Sequence, residues 1–157
     1  MKKIMISLVA LVALFSLTGC EKVVEGKYKE GTYMGSDTYE SYGKKYVTTA
    51  VIYVNSDGVI KSCYIDSTYT KDDVNTTKKT LKDNYGMKQT SANNGIIPGG
   101  AEWYEQVKVI EDKVIEEQGL DWVKFDSTNT KLDSVSGVTI SADTYVRAIQ
   151  NALYQAK

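Results

Sequence analysis

The sequence contains no histidine and only one arginine, Arg147, among its 157 residues. Without histidine the chain lacks the usual general acid–base residue, the Ser-His and Cys-His nucleophile pairs and the commonest ligand of zinc. Most conventional hydrolase mechanisms are therefore excluded, and we predict neither catalytic residues nor a metal site. The positive charge is almost all lysine and the formal net charge is −1, so no basic surface is expected to attract nucleic acid.

Cysteine is also scarce, and the first of the two cysteines ends a segment with the pattern of a lipoprotein leader. Lys2 and Lys3 precede an apolar run over residues 4–15 that is too short to cross a bilayer with margin. Small residues then precede Cys20, as lipoprotein signal peptidase requires. We predict that residues 1–19 are removed and that Cys20 is lipidated, which would anchor the protein stably on the outer face of the membrane. An ordinary secretory leader with an incidental cysteine is the alternative.

The second cysteine, Cys63, has no partner if Cys20 carries lipid. We therefore expect no disulfide bond, and we expect Cys63 to pack as a small hydrophobic residue. Residues 20–27 are polar and are predicted to form a tether. Residues 28–157 are long enough to bury a core, and we expect them to form one domain.

The first half of this domain has the alternation of β-strands. Residues 31–35 and 46–54 are predicted strands, and turn residues at 55–58 lead to a partner strand over residues 59–66. Residues 39–45 are predicted to form a loop. The alternation divides the second strand into two faces: one has Tyr46, Thr48, Ala50, Ile52 and Val54, and the other has Val47, Thr49, Val51 and Tyr53.

The second half has helical spacing. Asp72 or Asp73 is predicted to cap a helix that carries Val74, Thr77, Leu81 and Tyr85 and ends at Gly86. Residues 90–100 are expected to be an exposed loop, and residues 122–125 a short strand. Two longer helices are predicted over residues 101–118 and 141–155. The apolar stripe of the first consists of Trp103, Val107, Ile110 and Val114, and Gly119 is its predicted C-cap. The inward residues of the second are Tyr145, Ile149, Ala152 and Leu153. Strands followed by helices predict an α+β fold.

The segment Asp133-Ser134-Val135-Ser136-Gly137-Val138-Thr139 precedes the last predicted helix. A glycine among small hydroxyl residues at the start of a helix lets backbone amides approach a phosphate. The hydroxyl of Thr139 could then be esterified by that phosphate. The alternative is that Ser136, Thr139 and Ser141 only cap the helix, which is the commoner use of such residues.

Asp133, Ser136, Gly137 and Thr139 resemble the Asp-x-x-Ser/Thr-Gly-Ala-Thr motif of FMN-binding domains that an extracytoplasmic flavin transferase modifies. The departure from that motif is Val138, where alanine is usual and where valine adds bulk beside the acceptor. Residues 31–33, 47–54 and 57–60 resemble the opening hairpin of the same family. Residues 85–88 and 102–106 are similar to segments of the lipoproteins that serve flavin-based extracellular electron transfer in Gram-positive bacteria.

This resemblance implies a membrane-anchored FMN-binding domain with FMN joined covalently to Thr139. It implies that Asp133, Ser136 and Gly137 form a recognition loop and that backbone amides near Ser141 hold the phosphate. The implied partners are a flavin transferase, a membrane quinol or NADH dehydrogenase system as electron donor, and an extracellular electron acceptor. Residues that contact the flavin ring are expected among Met87, Trp103 and Tyr104, although Trp103 also begins an apolar helical stripe.

Three classes of function therefore remain open at the level of sequence. The first is a covalent FMN electron carrier rather than an autonomous enzyme. The second is a lipoprotein that binds flavin or another small ligand non-covalently and relays no electrons. The third is a surface protein that has lost its cofactor and keeps an adhesive or scaffold role.

Overall fold

The computed structural model describes residues 26–157. Its centre is an antiparallel sheet of four strands in the order β1-β2-β3-β4. β1 spans Gly31–Ser41, β2 Lys44–Val54, β3 Ile60–Lys71 and β4 Val74–Thr77. The predicted leader, the lipidation site Cys20 and the tether up to residue 25 lie outside the described residues.

The helices follow the sheet along the chain. They are α1 (Lys78–Leu81), a 3₁₀ helix (Lys82–Tyr85), α2 (Lys88–Asn93), α3 (Trp103–Glu117) and α4 (Asp143–Gln155). The predicted α+β class is thus confirmed. Across residues 26–157, no helix combines the length and the apolar character that crossing a bilayer needs.

The core lies between the sheet and the two long helices. α4 packs on β1 and β2, whereas α3 packs on β3. The predicted inward faces of α3 and α4 are confirmed, because every residue named for them above is buried. Of the two faces of β2, the structure buries the one that begins with Tyr46 and ends with Val54. Cys63 belongs to the same core and is free. Its burial confirms that it packs as a small hydrophobic residue, and the same burial raises the pKa of its thiol to about 12.

Gly35 on β1 explains how closely α4 approaches the sheet. A Cβ atom at this position would lie 2.2 Å from the carbonyl oxygen of Ala148 and 2.4 Å from the amide nitrogen of Ala152. Only glycine permits this contact between strand and helix backbones. The start of α4 is thereby held near the carboxyl end of β1, where the candidate site lies.

Two predicted segments are wrong because short hairpin turns were not recognised. Residues 39–45 are not a loop: they belong to β1 and β2, apart from a two-residue turn at Tyr42 and Gly43, where φ is 50° and 71°. Asp72 and Asp73 do not cap a helix but form the turn between β3 and β4, with φ of 48° and 61°. Positive φ at both central residues suits the right-handed twist of a hairpin.

The helix predicted from residue 72 or 73 therefore starts later. Its cap is Thr77, whose side chain accepts a hydrogen bond from the amide of Thr80. Gly86 follows the 3₁₀ helix with φ of 81° and ends the segment as predicted. The start of the segment predicted as a loop over residues 90–100 belongs to α2, and the predicted strand at 122–125 is reduced to one isolated bridge between Phe125 and Leu132.

The boundaries of the two long helices also differ from the prediction. α3 begins after Glu102, which forms a capping box with Glu105, and α4 begins after Ala142. The left-handed C-cap of α3 is Gln118, at φ 53°, rather than Gly119. The Gln118 carboxamide bonds both the amide and the carbonyl of Ile60, so a tertiary contact fixes this helix end.

Candidate functional site

A cavity of about 540 Å³ lies where the carboxyl end of β1 meets α1, the start of α3 and the start of α4. Its volume is in the range of pockets that bind small molecules and cofactors. Aromatic side chains form much of its wall. They come from four elements and are Tyr39, Tyr85, Trp103 and Tyr145.

Thr139 lines this cavity, and its side chain is held in place by Gln106 of α3. The Gln106 carboxamide oxygen accepts hydrogen bonds from the Thr139 amide at 2.8 Å and from its hydroxyl at 3.2 Å. Gln106 is fully buried, and its amide group donates to the carbonyl of Ala101. The hydroxyl therefore has a fixed position, but its partner is an amide oxygen that is not basic enough to take its proton.

The hydroxyl residues before α4 do not cap that helix. The N-cap is Ala142, which makes no side-chain capping hydrogen bond. The amide of Ala142, next to Ser141, donates to the carbonyl of Thr130 at 2.7 Å. Ser141 itself is exposed and lines the cavity beside Thr139. Helix capping thus does not account for Thr139 or Ser141.

The segment that precedes Thr139 forms an outward-facing loop. Asp133 and Ser136 are exposed, and neither lines the cavity. Gly137 has φ of 83°, a conformation that favours glycine. Val138 is 6% exposed and belongs to the hydrophobic core, so its extra methyl groups are accommodated there and not in the cavity.

The three residues predicted to contact a flavin ring do not all lie together. Met87 and Trp103 line the cavity, and Trp103 is also a core residue with 1% exposure. Tyr104 points to the other side of α1, where its hydroxyl donates to Asp83. There it lines a second cavity, of about 660 Å³, together with Tyr64 and Lys79.

The structure adds functional candidates that the sequence analysis missed. Gln106 had a detectable pattern, because it is a polar residue three positions after Trp103 on the buried face of an amphipathic helix. Tyr39 was placed in a loop and Tyr85 on a longer helix, so neither was expected at a common site. Nothing in the local sequence distinguishes Lys78 from the other lysines of the chain.

Lys78 is a buried cation in the wall of the cavity. It is 7% exposed, and its ammonium lies 5.2 to 5.4 Å from the ring centroids of Tyr39, Tyr85 and Trp103. Such positions over ring faces are favourable for a cation. Burial nevertheless lowers the pKa of Lys78 to about 8, and the charge of Asp66 opposes this shift. Within residues 26–157, no carboxylate forms an ion pair with it.

The other cation of the cavity, Arg147, is neutralised by two carboxylates. It pairs with Asp37 of β1 and with Asp143 of α4. The Trp103 indole donates to the Tyr145 hydroxyl at 2.9 Å, and the two rings pack edge to face. Burial raises the pKa of Tyr145, so its hydroxyl stays protonated at neutral pH.

The chain was compared with protein-family models, curated proteins and solved structures, and none of them matches it. The function must therefore be argued from the geometry and chemistry of this cavity.

Proposed function

We propose that this protein is a membrane-anchored extracytoplasmic flavoprotein that carries FMN joined to Thr139 and relays electrons. The observation that carries the proposal is the position of Thr139: the one residue that matches the acceptor of the flavinylation motif lies in the wall of an aromatic-lined cavity. Helix capping, the commoner role for such a residue, is not what its hydroxyl does.

The cavity has the chemistry that an isoalloxazine ring needs. Tyrosine and tryptophan rings offer flat apolar surface with polar edges, and Met87 adds a polarisable side chain. The hydroxyl groups of Thr139 and Ser141 and the cation of Lys78 supply polar and positive groups at the same cavity. These residues fit FMN, which would supply the reversible redox chemistry when bound.

The attachment step needs a second protein. The Thr139 oxygen would form a bond to the phosphorus of a flavin donor while the bond from phosphorus to the donor's leaving group breaks, and the hydroxyl proton would be lost to a base. Gln106 cannot be that base, and the chain has no histidine. A flavin transferase would supply the base, and it could approach over the exposed loop that contains Asp133, Ser136 and Gly137.

The chain's own contribution to electron transfer would be positioning. Gln106 would keep Thr139 at the cavity wall, because it bonds the backbone amide as well as the hydroxyl and keeps the first of these bonds after esterification. Lipid on Cys20 would hold the carrier at the membrane. Electrons would come from a quinol or NADH dehydrogenase system in the membrane and pass to an extracellular acceptor.

Mass spectrometry of the mature chain, expressed together with a flavin transferase, tests the proposal. We expect a mass increase of one FMN less water, with the modified peptide containing Thr139. Thr139→Ala should abolish the increase, whereas Ser141→Ala, which changes a neighbouring hydroxyl of the same cavity, should retain it.

Other outcomes would point to the other functions. A wild-type chain that gains no mass but binds dissociable yellow flavin would be a non-covalent flavin-binding lipoprotein. A chain that gains no mass and binds no flavin would overturn the proposal. Attached flavin that no quinol-linked donor reduces would leave the site in place but contradict the electron relay.

A further inference from the structure

The buried charge of Lys78 destabilises the folded state. A buried charge loses its hydration, and proteins usually compensate with a carboxylate partner. The adjacent Lys79 has such a partner, because it pairs with the buried carboxylate of Glu111. Lys78 has three aromatic rings instead, and the lowering of its pKa shows that they do not replace the lost hydration in full.

The position of Lys78 relates it to the cavity. Tyr39, Tyr85 and Trp103, whose rings surround its ammonium, all line the cavity, and so does Lys78 itself. The positive charge therefore lies within the aromatic wall. In such a water-poor setting, one ionic contact to a ligand is worth more than at the surface.

We propose that Lys78 is a ligand-binding residue whose ammonium pairs with an anionic oxygen of the aromatic molecule held in this cavity. This inference rests on the proposed function for the identity of that molecule. FMN can present such an oxygen in two places, on its phosphate or on the pyrimidine edge of the reduced ring. The chemistry that Lys78 recognises is the same for both.

Other ionisable groups line the cavity, and Asp66 acts on the charge of Lys78 from outside it. Arg147 is already paired, and the tyrosines are neutral at neutral pH. Asp66 is engaged by the amides of Ser67 and Lys79. The groups are Tyr39 and the exposed Glu40 on β1, Asp66 on β3, Tyr85 on the 3₁₀ helix, and Asp143, Tyr145 and Arg147 on α4.

The test uses the mature chain without attached flavin, titrated with FMN and with riboflavin and followed by flavin fluorescence. We expect Lys78→Met to weaken the binding of oxidised or reduced FMN at least tenfold at pH 7, with Lys78→Arg restoring part of the loss; the flavin potential reports on the reduced form. Lys82→Met, which removes an exposed lysine one turn away, should change binding less than twofold. Unaltered FMN binding and an unaltered flavin potential in Lys78→Met would together overturn the proposal.

Riboflavin and the flavin potential distinguish the two oxygens. If Lys78 pairs with the phosphate, Lys78→Met weakens FMN binding but leaves riboflavin binding unchanged. If it pairs with the reduced ring, the reduced form of both flavins loses at least tenfold more affinity than the oxidised form. A tenfold difference lowers the midpoint potential of the two-electron couple by about 30 mV. A purely structural role for Lys78 would produce neither pattern.

A second probe separates this inference from the proposed function. Anthraquinone-2-sulfonate is a planar aromatic anion, and uncharged anthraquinone is its matched control. If FMN does not bind but the sulfonate binds in preference to anthraquinone, and Lys78→Met removes the preference, the role of Lys78 stands and flavin is the wrong ligand. If FMN binds and neither its affinity nor its potential depends on Lys78, the proposed function stands and this inference fails. If neither FMN nor anthraquinone-2-sulfonate binds, both the proposed function and the inference about Lys78 are overturned.

Discussion

Two cavities lie on opposite sides of the short helix α1, and each is lined by one of two adjacent lysines. The lysines differ in whether a carboxylate balances their charge. Lys78 faces the cavity that contains Thr139, whereas Lys79 faces the cavity that contains Tyr104. Lys79 lies 3.6 Å from the centroid of the Tyr64 ring and pairs with Glu111, so its charge is balanced within the fold. Both cavities have aromatic rings and a volume suited to a ligand.

The comparison shows that cavity size does not identify a functional site. The second cavity is the larger, at about 660 Å³ against about 540 Å³. In that cavity, Lys79 and Glu111 form an ion pair with each other. The first cavity combines a fixed hydroxyl on Thr139 with a buried cation, Lys78, that has no ionic partner among residues 26–157. A role in ligand binding explains both features better than a role in stabilising the fold.

The largest expected effect comes from disturbing the balanced pair beside the second cavity. Glu111→Ala should lower the free energy of unfolding by about 3 kcal/mol, because it leaves a partly buried lysine and the buried amide of Ile65 without their acceptor. Urea unfolding at pH 7 measures this. The control is Asp112→Ala, which breaks the exposed pair with Lys108 and should cost less than about 0.5 kcal/mol. Equal losses would mean that the Glu111 pair does not stabilise the fold.

A substitution at the first cavity is expected to raise the free energy of unfolding. Lys78→Met should raise the free energy of unfolding by about 2 kcal/mol at pH 7, because it removes the cost of a buried charge and loses only contacts to ring faces. A stabilised variant with weakened ligand binding would show that Lys78 is kept for the ligand. A clear loss of stability would show instead that Lys78 has a structural role.

The stability gained by Lys78→Met should also depend on pH. The folded-state pKa of about 8 lies below the ordinary lysine value of 10.5, so the unfolded chain holds this proton more tightly than the folded chain. The cost is therefore complete below pH 8 and disappears as pH rises toward 10.5. Urea unfolding of both proteins between pH 7 and pH 10.5 should show the advantage of Lys78→Met shrinking. A constant advantage would contradict the lowered pKa.

The smallest effect compares one aromatic residue from each cavity. Tyr85→Leu should weaken reversible FMN binding to the unmodified chain about fivefold, which corresponds to the roughly 1 kcal/mol of an aromatic contact. Tyr104→Leu should leave it unchanged, because Tyr104 lines the other cavity. Flavin fluorescence titration measures both. The assignment of the ligand to the first cavity would be wrong if Tyr104→Leu had the larger effect.

The sequence by itself determined the α+β class, the division of β2 into two faces, the buried faces of α3 and α4, and the flavinylation-like motif at Thr139. These features follow from residues close together in the chain, since a period of two or 3.6 residues selects one face of a strand or helix. It did not determine where α3 ends, because the left-handed conformation of Gln118 is stabilised by a contact with Ile60, far away in sequence.

Only the tertiary structure decided the composition of the site. Gln106 reaches Thr139 across 33 positions, and Lys78 meets Tyr39 of β1 because α1 packs on β3, a strand of the same sheet. The same chain packing separated Tyr104 from Trp103, its neighbour in sequence, by sending their side chains to different cavities. A cavity is made by side chains from several elements, so its chemistry is set by how those elements pack and cannot be obtained from any one segment.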